Sequence, residues 1–137
     1  MKKVAVASLC AAAAVFVCLP HVAESAQTRS AVPVMVGGTE ASEGCAGTAV
    51  VATAAGGTLN LRAGPGLNHP VIARLAPGRS VSICQRLQGG WLGILVHRNT
   101  PGERDCGMSD AGSKPVAYSG ACDSGWVSEK YLRIQAG

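Results

Sequence analysis

The sequence predicts an all-β protein, a small and mostly antiparallel barrel running from about Val50 to Ile134. Three observations point to it. Apolar and polar residues alternate with a period of two in short runs. The clearest is Leu59-Asn60-Leu61-Arg62, the pattern of a strand with one face buried. Glycine and proline break the runs into turns, as in Gly64-Pro65-Gly66 and Ala76-Pro77-Gly78. Finally, no stretch carries a long helical period, and none has the length for a parallel βαβ crossover.

Residues 1–26 read as a signal peptide rather than as structure. Lys2 and Lys3 supply a positive start, Val4 to Leu19 is uncharged and apolar, and Pro20 breaks the run. Small residues then favour cleavage near Ser25 or Ala26. The apolar run is short and Ala-rich, whereas a membrane span takes about 20 strongly apolar residues. No membrane span is therefore expected after cleavage. A lipid anchor on Cys18 is the lesser alternative, because Val15 and Val17 are bulky where a lipobox takes Gly or Ala. Removing the segment leaves 10 basic and 7 acidic residues, a net charge of +3 with no Lys/Arg run. That balance offers no warrant for nucleic-acid binding. The 111 residues from Gln27 suffice for one small domain and not for two.

Residues 27–44 read as a flexible linker with an isolated Val32-Pro33-Val34-Met35-Val36 patch, which by itself would also suit a short edge strand. The folded unit, residues 45–137, begins at Cys45. Thr48 to Ala54, rich in β-branched residues, is the first strand, and Gly56-Gly57 separates it from Leu59–Arg62. Pro65 cannot sit inside a central strand, so a turn is obligatory there. Val71 to Leu75 is the next strand, followed by the Pro77-Gly78 turn. Val81 and Ile83 alternate with polar neighbours, and Gly89-Gly90 signals a hairpin into Trp91 to Val96. A long polar insertion, His97 to Ser124, leads to Gly125-Trp126-Val127-Ser128. A short helical turn and a closing strand end the unit at Glu129 to Ile134.

Three blocks carry a resemblance to a known family. They are Leu59-Asn60-Leu61-Arg62-Ala63-Gly64-Pro65-Gly66, the Val71–Leu75 strand with its Pro77-Gly78 turn, and the pair Gly90-Trp91-Leu92-Gly93-Ile94 and Gly125-Trp126-Val127-Ser128-Glu129-Lys130-Tyr131-Leu132. Together they resemble bacterial SH3 (SH3b) domains, and the resemblance implies an SH3-like barrel. The insertion between the two Trp strands departs from the simple family pattern, which has a short turn there. Asp105-Cys106-Gly107 and Gly120-Ala121-Cys122 are similar to the cysteine-bearing insertion of a subgroup of exported SH3b proteins.

Loss of the leader also removes Cys10 and Cys18, leaving Cys45, Cys84, Cys106 and Cys122. In an exported domain of this size such cysteines favour two disulfides, with three pairings possible. Cys106 and Cys122 flank one insertion and would cinch its base; Cys45 and Cys84 would then tie the first strand to the central hairpin. The rival is a metal site with His69 or His97, but no C-x-x-C or H-x-x-x-H spacing supports it. No cofactor is expected.

Catalysis is disfavoured. Each remaining cysteine has a candidate partner, and neither His follows a nucleophile motif. Asp105, Asp110 and Asp123 lie in a Gly- and Ser-rich insertion, whereas a glycosidase holds two carboxylates rigidly across a cleft. The SH3b resemblance implies instead a periplasmic or secreted binding module for peptidoglycan or a cell-wall peptide. A periplasmic protein–protein interaction module and a passive envelope protein without a discrete ligand are the alternatives. Trp91, Trp126 and Tyr118 are the candidates to line a shallow groove, with Arg62 or Arg79 holding a carboxylate. Each Trp follows a turn glycine beside apolar residues, so a core position competes with the groove for both. The clustered aromatic run of polyproline-binding SH3 modules is missing. Recognition is expected where the Gly64–Pro70 loop and the Cys106–Cys122 insertion meet the Trp strands. Asn60 is expected to fix the turn that Pro65 completes by a side-chain bond to neighbouring backbone, and Arg62 to contribute little to the fold.

Overall fold

The computed structural model describes residues 29–38, 45, 47–98, 106–107 and 112–136. The expected signal peptide, residues 1–26, lies outside the described residues, as do residues 27–28 and 39–44 of the expected linker and 99–105 and 108–111 of the insertion, with Asp105 and Asp110 among them. Among the described residues nine strands follow in order: β1 (Met35–Val36), β2 (Gly47–Val51), β3 (Leu59–Arg62), β4 (Val71–Leu75), β5 (Ser80–Leu87), β6 (Trp91–Val96), β7 (Val116–Ala117), β8 (Asp123–Ser128) and β9 (Leu132–Gln135). A 3-10 turn, Glu129–Tyr131, joins β8 to β9. No described helix is long and apolar enough to cross a membrane.

Seven strands form one sheet in the order β4-β3-β8-β6-β5-β2-β9, every pairing antiparallel. Leu75 of β4, near one edge, and Ala49 and Val51 of β2, near the other, belong to a single buried cluster with Leu59, Leu61, Val81, Ile83, Leu92, Ile94 and Val127. Residues at the two edges of a sheet share a core only if the sheet curls around it, so the sheet is a barrel. The period-two alternation of β3 puts Leu59 and Leu61 into that core and leaves Asn60 and Arg62 half-buried on the other face. β2 ends at Val51, earlier than the expected Ala54, because Ala52 N–H is taken by Tyr131 O at 2.9 Å and the chain turns at Ala54–Gly57.

β6 is buried on both faces. Leu92, Ile94 and Val96 point inward, while Gly93 and Leu95 face outward together with Trp126 of β8. This outer apolar layer is covered by the stretch expected to be part of a flexible linker. Val34 and Val36 are 1% and 4% exposed, and β1 pairs with β7 in a separate two-stranded sheet. Val32 N–H donates to Ala63 O at 2.8 Å, Met35 N–H to Gln85 Oε1 at 3.0 Å, and Tyr118 N–H to Val34 O at 2.9 Å. The linker expectation is thus corrected for residues 29–38. Val34 and Val36, two residues apart on one side of the extended chain, bury against an outer face already too apolar to leave in water, while Val32 contributes its backbone and keeps its side chain exposed.

Both disulfides have the expected pairing, Cys45–Cys84 and Cys106–Cys122. The thiols required by a metal site are therefore committed to covalent bonds. Cys106 and Cys122 pack with Val36 and Leu95 in the outer cluster, with Cys45, Cys84 and Tyr118 against it. Cys84 falls where the β5–β6 register shifts between Ile83 and Gln85. Such an irregularity bends a strand and re-aims a side chain.

Val34→Ala should destabilise the oxidised protein by about 1–3 kcal/mol through lost burial and a cavity over Gly93. Urea unfolding measures the loss, and an unchanged midpoint would show that residues 29–38 do not cover the outer face. A second expectation concerns acid. His97 Nε2 lies 2.6 Å from Ser82 Oγ, and burial first, the charge of Arg79 second, hold the imidazole pKa below its ordinary 6.5. The unfolded chain then binds the proton more readily. The contribution of neutral His97 is complete above pH 6.5 and is lost as pH falls through the lower folded-state value. Thermal unfolding midpoints between pH 7.5 and 5 should fall less steeply in His97→Gln than in the parent.

Candidate ligand-binding groove

The groove grows out of three turns that converge at one end of the barrel. The first follows β3. Arg62 Nη1 donates to Leu67 O at 3.2 Å and to His69 O at 2.9 Å, so its guanidinium braces the Gly64–Pro70 loop from inside. Gly64 is required in that loop, since a Cβ there would fall on the buried imidazole of His69. Asn60 makes no side-chain hydrogen bond among the described residues. The bracing role expected of Asn60 therefore belongs to Arg62. The second turn is the 3-10 segment, pinned by Glu129 N–H to Gly90 O at 2.8 Å, by Tyr131 O to Ala52 N–H at 2.9 Å, and by the Arg86–Glu129 salt bridge. The third is the β2–β3 connection, where Thr53 Oγ1 donates to Gly57 O at 3.3 Å.

Between these turns lies an open groove of about 560 Å³. Trp91, at the start of β6, and Tyr131 supply its aromatic surface, and Leu67 stands at its rim. Arg62 and Lys130 line it as cations, with Lys130 Nζ 4.8 Å from the centroid of the Tyr131 ring. A cation held over an aromatic face keeps its charge while its position is restricted. A volume of this size falls within the roughly 300–1,000 Å³ typical of ligand sites.

The expected site residues separate into two groups. Trp91 and Arg62 meet in the groove. Trp126 does not reach it, because its ring is 0% exposed and its indole N–H donates to Val32 O at 2.8 Å. Tyr118 is equally removed. Its hydroxyl donates to Cys106 O at 2.6 Å and accepts from Cys122 N–H at 3.0 Å, which makes it a clamp on the second disulfide. Arg79, the alternative carboxylate partner, sits beside His97 and does not line the groove. Trp91 pairs with Ser128 at one end of the β6–β8 ladder, and Val96 with Asp123 at the other, where the insertion leaves the barrel. At about 3.3 Å per residue the two ends are separated by roughly 17 Å. The groove is therefore joined by the Gly64–Pro70 loop, as expected, but by none of the described residues of the insertion.

Tyr131 and Lys130 also line the groove, although in the sequence they read only as part of the helical turn that leads into the last strand.

Replacing Arg62 tests the bracing. Arg62→Ala removes two bonds from a charged donor at a half-exposed position and should cost about 1–2 kcal/mol, more than a surface charge contributes. Chemical unfolding of this variant beside Asn60→Ala, expected to be near neutral, would expose a wrong assignment if the order were reversed.

Compared with protein families, residues 57–133, more than half of the chain, match the bacterial SH3 domain. Neither the curated proteins nor the solved structures give a match.

Proposed function

Given that the chain belongs to the bacterial SH3 domain family, a family of binding modules, we propose that it is an exported, non-catalytic module that binds peptidoglycan or a cell-wall peptide through the Trp91–Tyr131 groove. The single observation that carries this reading is the groove itself. Two aromatic side chains from different elements are held half open to solvent, although the barrel has a complete apolar core without them. An aromatic side chain left accessible beside cations, on loops fixed by hydrogen bonds, suits recognition better than packing. Export is supported by the paired cysteines, which persist in oxidising compartments such as the periplasm or the cell exterior. The net charge of +3 that remains after residue 26 favours an anionic envelope surface.

Purified sacculi should retain the oxidised protein in a sedimentation assay, and Trp91→Ala should release it by about tenfold or more, as expected for an aromatic anchor worth about 2 kcal/mol. Retention no better than that of an unrelated exported protein of equal charge would refute wall binding. Retention that survives Trp91→Ala would move the site elsewhere.

A further inference from the structure

The charges around the groove narrow its ligand chemistry. Among the described residues, the charged side chains that line it are Arg62 and Lys130, and no carboxylate does. The salt bridge among those residues, Arg86–Glu129, uses neither cation. Arg62 spends Nη1 on the carbonyls of Leu67 and His69, which leaves Nη2 without a partner among the described residues. Lys130 rests over Tyr131, a contact that positions the ammonium without neutralising it. Two positioned cations without a carboxylate of their own are the complement of an anion on the ligand.

We infer that the groove reads a free carboxylate on a short wall peptide, Arg62 and Lys130 meeting the anion while Trp91 and Tyr131 carry the apolar part of the chain; this rests on the wall-binding reading above. A glycan strand also stacks on aromatic faces, but where its lactyl carboxyls are amide-linked to peptide stems its neutral hydroxyls would leave both cations unmatched. Peptide stems of the wall bear free carboxylates and also carry apolar side chains for Trp91 and Tyr131. The guanidinium is the stronger determinant, because it can meet a carboxylate with planar, directional N–H groups, whereas Lys130 acts as a point charge.

Nuclear magnetic resonance of the ¹⁵N-labelled, oxidised protein provides the test, since the two indole N–H signals report two different places. Muropeptides released from sacculi by muramidase are titrated first, then the same muropeptides with their carboxylates amidated, then a disaccharide of N-acetylglucosamine, which carries no carboxylate. The Trp91 signal should shift with the first probe while that of Trp126, bonded to Val32 O, stays in place. Amidation should weaken binding by about tenfold, the loss of one charge-assisted hydrogen bond, and Lys130→Gln should reduce the difference between acid and amide. Equal affinity for both muropeptides would overturn the carboxylate assignment and leave wall binding intact. Binding of the disaccharide alone, with the same Trp91 shift and affinity, would overturn it in favour of the glycan. No binding of any probe, together with no retention on sacculi, would remove the wall reading as well.

Discussion

The apolar layer on the outside of β6 and β8 is the constraint on which the rest of this structure depends. A small barrel is ordinarily stabilised by its inner face, and here Leu61, Leu92, Ile94 and Val127 fill that role. Gly93, Leu95 and Trp126 make the opposite face apolar as well. A Trp and a Leu left in water at this position would forgo burial worth about 1.5–3 kcal/mol for each such side chain. The cover comes from residues 29–38 and from the insertion, two segments far apart in sequence that meet as β1 and β7. Gly93 shows how close the cover lies, because an added Cβ would come within 3.1 Å of both Gln85 and Val34.

A cover made of two short strands has little stability of its own, since an isolated pair of strands is marginal in water. The disulfides solve this by limiting what the unfolded chain can do. Cys106–Cys122 closes a loop of 16 residues and Cys45–Cys84 one of 39, which in the chain-entropy picture restrict the unfolded state by about 3 and 4 kcal/mol. Both bonds lie at the outer cluster, one within it and one against it. Tyr118 ties the second bond to the segment leading into β1 by donating its backbone N–H to Val34 O and its hydroxyl to Cys106 O. The insertion thus has a structural function at its base, at the end of the β6–β8 ladder away from the groove.

That division of labour explains the two tryptophans. They sit on neighbouring strands after similar Gly-Trp steps, yet Trp126 is buried beside Val34 with its indole N–H on the Val32 carbonyl, while Trp91 opens into the groove. Their fates differ because the cover reaches the middle of the ladder, where Trp126 pairs with Gly93, and stops short of the end where Trp91 pairs with Ser128. The 3-10 turn beyond Ser128 then brings Tyr131 and Lys130 to the uncovered aromatic ring.

The sequence by itself determined the barrel strands, the turns between them and the family, and it marked Cys106 and Cys122 as the pair that brackets the insertion. Each depends on a local or nearly local signal: period-two alternation, Pro and Gly where the backbone must reverse, and cysteines bracketing one insertion. Tertiary structure decided which apolar residues were core and which were site. Val32 to Val36 reads as a tether until a second apolar face exists for it to cover, and that face is assembled from two strands, β6 and β8, far from it in sequence. In the same way Arg62 reads as an exposed cation until the Gly64–Pro70 loop folds back over it and offers two carbonyls. Local periodicity records how a residue lies on its own strand. Whether its outward side meets water, a covering strand or a groove is set by chain that arrives from elsewhere, and no single stretch of sequence carries that information.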